Sequence, residues 1–288
     1  MYITRVMTVG AQRLGNTVIS LLFDRYITPV PDKTIILTCL PVDYVQKVLN
    51  HYFSNRSDIE VIHDSELEDL YPDIKVWTVP GDIRGAWLKQ QALKMIALDH
   101  FDSDIFLIQD PDTFCIKTYR YFDGNKLYLL SMSDTSQYES YYVAIEKALG
   151  IPRQTTSCFV TELMPVFKQD WVRCRQQIEA ITKQPWLVGL LDQVPAEEFK
   201  FRQVKWFSEY ELLGNWTMYN REVGFVEQVR FQFNSSVEQL KNINSNHNCI
   251  CDKGPNGQTR GYPSIFPIED NYTVRGLDQI LKILITKI

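Results

Sequence analysis

Within its first 110 residues the chain alternates β-rich runs with helix-patterned segments, and no other feature constrains its fold as tightly. Ile3 to Val9 predicts a strand, Leu14 to Tyr26 carries apolar residues at helical spacing, and Thr34 to Thr38 predicts a second strand. Val42 to Phe53 follows as an amphipathic helix and Ile59 to Ile62 as a short third strand. Such repetition predicts a mostly parallel sheet covered by helices, and sheets of that kind bind ligands beyond the carboxyl ends of their strands. Trp77 to Val79, ahead of Pro80-Gly81, predicts a further strand, and Ala86 to His100 a helix. Asp104-Ile-Phe-Leu-Ile108 is almost wholly apolar, as a strand buried on both faces must be. The expected class is α/β, with a Rossmann-type, mixed but mostly parallel central sheet flanked by helices.

The second half is patterned differently. Leu127 to Met132 predicts a strand, and Tyr138 to Leu149 a helix closed by Gly150 with Pro152 behind it. Asp170 to Thr182 predicts another helix with Asp170 as its N-cap. Asn234 to Gly261 is rich in Asn, Ser and Gly and predicts a loop, and Leu277 to Ile285 a closing helix. With no internal repeat and no clear linker, the 288 residues are expected to form a single domain.

Composition removes several function classes. Fifteen Tyr, 15 Phe and 6 Trp supply enough apolar surface to offset the entropy of ordering, which excludes disorder over most of the chain. A net charge of -5 argues against nucleic acid or an anionic membrane as a general partner. Apolar runs such as Val18 to Phe23 fall well short of the roughly 20 residues of a transmembrane helix. Met1 to Arg5 lacks the basic and apolar pattern of a signal peptide, so a cytoplasmic location is expected. The six scattered cysteines then suit reduced thiols better than a disulfide framework.

Three clusters carry chemistry. In the first, the buried strand ends in Asp110-Pro111-Asp112, placing two hard oxygen ligands at the mouth of the sheet, where a divalent cation could bridge them to a diphosphate. The same tripeptide is also a common way for a strand to leave in a turn. In the second, Trp87, Gln91, Lys94 and Leu98 share one helical face beside an apolar stripe of Leu88, Ala92 and Met95. If that helix borders the carboxylates, Lys94 and Arg84 can meet a diphosphate and Gln91 a sugar or phosphate oxygen. Otherwise it is a surface helix with a solvated lysine. In the third, Phe207-Ser-Glu209-Tyr210-Glu211-Leu-Leu-Gly214-Asn215-Trp216 mixes carboxylates with aromatic and amide groups, as carbohydrate sites do. An amphipathic helix capped at Gly214 accounts for it equally well.

Taken in order, Gly81 to Lys94, Asp110-x-Asp112-Thr113 and Ser208-Glu-Tyr-Glu211-x-x-Gly214-Asn215-Trp216 resemble an uncharacterised family of glycosyltransferase-like proteins of bacteria and phages, assigned to the GT-A fold. The layout is also similar to glycogenin-type and lipopolysaccharide galactosyltransferase enzymes. The resemblance implies a GT-A-like domain with a nucleotide-sugar-binding half (1–125), an acceptor-side half (126–233) and a loop-rich C-terminal extension (234–288). It implies a nucleotide-sugar donor, with a UDP-sugar as the working guess, a carbohydrate or other hydroxyl acceptor, and Mn²⁺ or Mg²⁺ on Asp110 and Asp112. Arg84, Trp87, Gln91, Lys94 and Asp110 fall on the donor side, and Tyr210, Asn215 and Trp216 on the acceptor side. A late histidine commonly supplies a third metal ligand in such enzymes, and among the four histidines His247 is the downstream candidate. It lies in His247-Asn-Cys249-Ile-Cys251, a trio whose ligand types would also suit zinc.

The expected activity is metal-dependent transfer of a sugar from a nucleotide-diphosphate sugar. The cation and Lys94 would stabilise the departing diphosphate, and in an inverting reaction Glu209 or Glu211 would accept the acceptor's proton. Two features depart from the family pattern. Pro111 stands where relatives carry a small residue, and Gly10-Ala-Gln12-Arg13 stands where an acidic residue often follows the first strand. They motivate one alternative, a non-catalytic module that keeps a sugar-nucleotide pocket; a second, a sugar-phosphate nucleotidyltransferase, keeps the carboxylates for Mg²⁺ and attack on an α-phosphate. The second would need a basic Gly-rich loop, which Val9 to Gly15 fits poorly.

Overall fold

A computed structural model of the chain describes residues 1–10, 13–54, 56–78, 84–133, 139–199, 201–233 and 242–252, together with 282, 284 and 286. The first half contains β1 (Ile3–Val9), α1 (Leu14–Leu22), β2 (Ile27–Thr28), β3 (Lys33–Thr38), α2 (Val42–Tyr52), β4 (Ile59–His63), α3 (Asp64–Leu70), α4 (Gly85–His100) and β5 (Ile105–Gln109). Short strands β6 (Thr113–Cys115), β7 (Tyr119–Arg120) and β8 (Phe122–Asp123) lead to β9 (Lys126–Ser131) and α5 (Glu139–Leu149). Then come β10 (Leu163–Phe167), α6 (Lys168–Thr182), α7 (Trp186–Gln193), β11 (Ala196–Phe199), β12 (Arg202–Lys205), α8 (Glu209–Asn220), β13 (Val223–Glu227), β14 (Arg230–Phe233) and β15 (Cys249–Asp252).

The central sheet has the order β10-β5-β1-β3-β4. Its first four strands in sequence are parallel, and β10 runs antiparallel to β5 at one edge. Every residue of β1 and β5 is buried, because helices cover both faces. Side chains alternate as a strand requires: Val6 and Ile35 join the core under α4 to α8, while Met7 and Ile36 join the core under α1 and α2. From β1 the chain passes through α1 to β3 on one side, and later returns to β5 on the other. That reversal makes a topological switch point between β1 and β5, with a crevice at their carboxyl ends. Beside it, β6, β15 and β14 form a small sheet in which β15 is antiparallel to β6 and parallel to β14. The α/β class, the mostly parallel sheet and its helical layers are as expected from the sequence.

Several local expectations change. The first helix ends at Leu22 and the chain continues in a 3-10 turn, Asp24–Tyr26, whose Asp24 carboxylate ion-pairs with Arg5, fully buried on β1, at 2.5 Å. Trp77 closes a 3-10 helix that begins at Pro72 instead of starting a strand, and its indole N–H donates to the carbonyl of Leu187 at 3.0 Å. Residues 79–83, including Pro80-Gly81, lie outside the described residues. Asp170 is not an N-cap, since α6 starts two residues earlier. It sits in the first turn, where its carboxylate accepts from Arg221 at 2.6 and 2.7 Å. Cys249–Asp252, placed in the long loop by its neighbours' composition, is a strand because it pairs with β6. Residues 234–241 and 253–261 of that loop lie outside the described residues, as does most of the closing helix, of which residues 282, 284 and 286 are helical.

Candidate active site

The Asp-Pro-Asp segment lies at the switch point. The Thr113 N–H donates to the Asp110 carbonyl at 3.3 Å, closing a turn in which Pro111 takes the second position. A fixed φ suits proline to that corner, so the ring presets the turn that carries both carboxylates. The Asp110 N–H donates to the Glu162 carbonyl at 2.9 Å, locking the turn to the start of β10. Glu162 itself holds a left-handed backbone (φ 63°), which an unbranched carboxylate side chain adopts only under surrounding constraint.

The two aspartates face different partners. Asp110 accepts from the Lys94 ammonium. Asp112 pairs with Arg13, which comes from the loop after β1, at 3.4 Å. Buried beside Asp112 are Glu162 and Cys251, and the ligating atoms of all three lie within 4.8 Å of one another. The Glu162 carboxylate accepts from the Thr113 hydroxyl and from the Cys251 thiol, the latter at 3.2 Å.

Helices α4 and α8 form the adjoining wall. Ser208 caps α8 by accepting from the Glu211 N–H at 3.4 Å, which sets Glu209 and Tyr210 in its first turn. Lys94, only 1% exposed, donates to Glu209 at 2.6 Å and to the Tyr210 hydroxyl at 3.3 Å, with its ammonium 4.8 Å from the Tyr210 ring centre. Burial alone would depress the Lys94 pKa, but the Asp110 and Glu209 carboxylates outweigh it and hold the lysine above its ordinary value. Glu209 is pushed up by burial and by Asp110, against the opposing pull of Lys94. Burial, with Asp110 and Glu209 close by, also raises the Tyr210 phenol well above its usual value, so it stays a neutral O–H. With its amide nitrogen assigned toward Glu209, the orientation that satisfies both ends, Gln91 completes the network by donating to Glu209 and accepting from the Trp87 indole N–H at 3.2 Å. The solvated-lysine alternative for α4 therefore does not hold.

Beside this network lies a cleft of about 170 Å³, lined by Thr8 and Arg13 on the β1 side, Trp87 and Gln91 on α4, and Asp110, Asp112, Glu162 and Tyr210. Ligand pockets commonly span roughly 300–1,000 Å³, so the described walls are large enough to enclose part of such a ligand. At its rim the Arg84 guanidinium lies 4.5 Å from the Trp87 ring centre and 4.6 Å from that of Trp206. The two indoles meet edge to face at 6.3 Å.

Other residues singled out in the sequence lie away from the cleft. Glu211 is fully buried, accepting from the Phe159 N–H at 2.9 Å and from Asn215 at 3.4 Å, and burial raises its pKa. Asn215 also accepts from the Gln154 N–H at 2.9 Å. Trp216 packs in the core with its indole N–H on the Asp170 carbonyl at 2.7 Å. Gly214 is interior to α8 and does not end it. A Cβ there would lie 2.4 Å from the Phe159 ring. The His247 ring accepts from the Asn244 N–H at 3.2 Å and is not among the converging ligand atoms of the described residues. Cys249 faces Cys115, with sulfurs 3.7 Å apart, and none of the six cysteines is joined in a disulfide.

Glu162, Cys251, Arg13 and Trp206 acquire roles that their spacing did not assign. Glu162 precedes an edge strand that the hydrophobic pattern did not reveal, and Trp206 closes a hairpin, β11–β12, that no Gly or Asn turn announced. Cys251 was visible only as a ligand type near His247.

The profile of a family of unknown function (DUF6492) matches residues 18–248. No curated protein sequence matches the chain. Among solved structures, the galactosyltransferase LgtC in complex with donor and acceptor sugar analogues aligns over 99% of this chain and 96% of its own, at 10% identity and a TM-score of 0.46. An active-site mutant of LgtC aligns over 98% and 95%, at 12% identity and a TM-score of 0.48. The apo bifunctional glycosyltransferase WbbM aligns over 99% of this chain and 50% of its own, at 9% identity and a TM-score of 0.46. No described helix is long and apolar enough to cross a membrane.

Proposed function

The chain belongs to the DUF6492 family, whose function is unknown, and we propose from its own site that it is a metal-dependent glycosyltransferase moving a sugar from a nucleotide-diphosphate sugar to a hydroxyl acceptor. The observation that carries this reading is the meeting of Asp112, Glu162 and Cys251 within 4.8 Å at the switch point of a mostly parallel sheet, with Arg13 paired to Asp112 and Lys94 to Asp110. That crevice is where sheets of this kind bind nucleotide ligands. Two buried carboxylates fit a divalent cation, Mn²⁺ or Mg²⁺, and Asp112 and Glu162 are the residues that would hold it. When bound, the cation neutralises charge gathering on the departing diphosphate.

The protein's own groups do the rest. Arg13 faces the crevice from the β1 side and supplies a guanidinium suited to phosphate oxygens. Lys94 is saturated by Asp110, Glu209 and Tyr210, so its part is to fix the Asp110 carboxylate in position. Trp87 and Tyr210 wall the cleft and exclude water from the reacting sugar. Of the two carboxylates considered as base, Glu209 is favoured. It is linked to Asp110 by two hydrogen bonds through Lys94, whereas Glu211 serves the backbone of Phe159.

Incubation with a panel of nucleotide sugars and Mn²⁺, reading free nucleoside diphosphate by ³¹P NMR, tests the reading. Release that requires the cation supports transfer or its hydrolytic side reaction. Calorimetric binding of a nucleotide sugar with no release would support the non-catalytic module instead, a reading favoured by the engagement of Asp110 with Lys94.

A further inference from the structure

Resting on Asp112 as a cation ligand, we propose that Cys251 is a ligand of the same cation and makes this a mixed carboxylate–thiolate site, one that selects a sulfur-accepting divalent ion over Mg²⁺. Its position follows from strand register. β15 pairs antiparallel with β6, which puts Cys251 directly opposite Thr113, the residue after Asp112. Its thiol therefore emerges among oxygen groups: Glu162 accepts from it at 3.2 Å, and the Thr113 hydroxyl donates to the same carboxylate. Cys174, by contrast, packs among core hydrocarbon side chains, and Cys249, two residues back on β15, faces the thiol of Cys115. Of the buried cysteines among the described residues, Cys251 is the one whose sulfur joins a convergent ligand set.

Glu162 strengthens the case. Its left-handed backbone turns the residue between the Asp110 turn and β15, so its buried carboxylate meets Asp112 on one side and Cys251 on the other. Binding exchanges one proton for one cation: the S–H hydrogen that now lies between Cys251 and Glu162 passes to solvent, and the sulfur lone pair goes to the metal. Mg²⁺ takes oxygen ligands almost exclusively, while Mn²⁺, Co²⁺ and Zn²⁺ accept sulfur with increasing readiness. Of the two cations considered for transfer, the site therefore takes Mn²⁺, and it admits Co²⁺ and Zn²⁺.

The test is titration of the whole chain with Co²⁺ alone, read by absorption. Binding is expected to give visible ligand-field bands together with a near-ultraviolet sulfur-to-cobalt charge-transfer band. Cys251→Ser should lose the near-ultraviolet band, keep the visible bands, and weaken Co²⁺ binding by at least the ~10-fold that even outer partners of a metal site contribute. Cys249→Ser and Cys115→Ser should keep both. If the wild-type chain shows visible bands that vanish in Asp112→Asn but no near-ultraviolet band, the cation is held by oxygen alone. The Cys251 proposal then falls and the transferase reading stands. A charge-transfer band that survives Cys251→Ser also overturns it, by assigning the sulfur to another cysteine. If no Co²⁺ or Mn²⁺ binds at all, the metal-dependent reading fails with it.

Discussion

Glu209, in the first turn of α8, holds the Lys94 ammonium of α4 at 2.6 Å, and neither side chain is more than 1% exposed. One lysine thus stands between two carboxylates, since Asp110 meets it from the cleft side. Breaking a buried pair by removing one member typically costs about 3–5 kcal/mol, because the partner's charge is left without compensation. Lys94→Met is expected to destabilise the protein by that order, and Lys94→Met with Glu209→Gln by clearly less. Urea unfolding of both variants measures the difference. Equal losses would mean that removing Lys94 does not leave Glu209 with a costly uncompensated charge.

Glu211 predicts a pH dependence of opposite origin. Burial raises its pKa, against hydrogen bonds such as that from the Phe159 N–H. A carboxyl group whose folded pKa lies above its unfolded one binds its proton more tightly in the native state. Its contribution is therefore greatest at low pH and is lost as pH rises from the ordinary carboxylate range through the raised value. Glu211→Gln removes this titration while keeping the side chain's size. The melting temperature of the variant relative to wild type should accordingly rise as pH increases from the ordinary carboxylate range. A difference that stays constant or falls as pH rises would contradict a raised Glu211 pKa.

How much of this was visible in the sequence depends on the range of the interactions. Ile3–Val9, Lys33–Thr38 and Ile105–Gln109 were legible because a strand buried on both faces has to be apolar throughout, and α4 because its apolar residues recur at helical spacing. Asp110 and Asp112 stood out because the apolar strand before them places both carboxylates at the mouth of the sheet, although the same tripeptide also serves as the turn it forms here. Glu162 and Cys251 did not, since they reach the site through β10 pairing with β5 and β15 pairing with β6, contacts that bridge 54 and 138 residues (Leu163 less Gln109, Cys251 less Thr113) and leave no local periodicity. The Glu-Tyr-Glu segment was ambiguous for a related reason. Its two glutamates, two positions apart on a helix, point in different directions, so Glu209 meets Lys94 while Glu211 meets the Phe159 backbone.

Gly214 marks the close approach that fixes that helix. A Cβ at this position would lie 2.4 and 2.5 Å from atoms of the Phe159 ring, a fully buried side chain with no room to withdraw. Gly214→Ala would improve the helix propensity of α8 but overpack this contact, and overpacking of a filled core costs about 1–3 kcal/mol. The net expectation is a lower melting temperature, and Phe159→Leu in the same chain should recover part of the loss. A variant more stable than wild type would show that the ring yields freely.

Asp112 and Arg13 give opposite signatures that locate the cation. Asp112→Asn preserves shape and removes one ligand charge, so metal-dependent turnover should fall by about 10²–10³-fold, the scale of losing a group that stabilises transition-state charge. The stability of the metal-free protein should change little, because a partly exposed pair such as Arg13–Asp112 is worth about 0–1 kcal/mol. Arg13→Met removes a positive neighbour that competes with a cation for Asp112, so Mn²⁺ should bind more tightly even as turnover falls for want of a guanidinium on the diphosphate. Calorimetric Mn²⁺ titrations beside steady-state rates separate the two effects. Weaker Mn²⁺ binding in Arg13→Met, or full turnover in Asp112→Asn, would place the cation somewhere other than between Asp112 and Glu162.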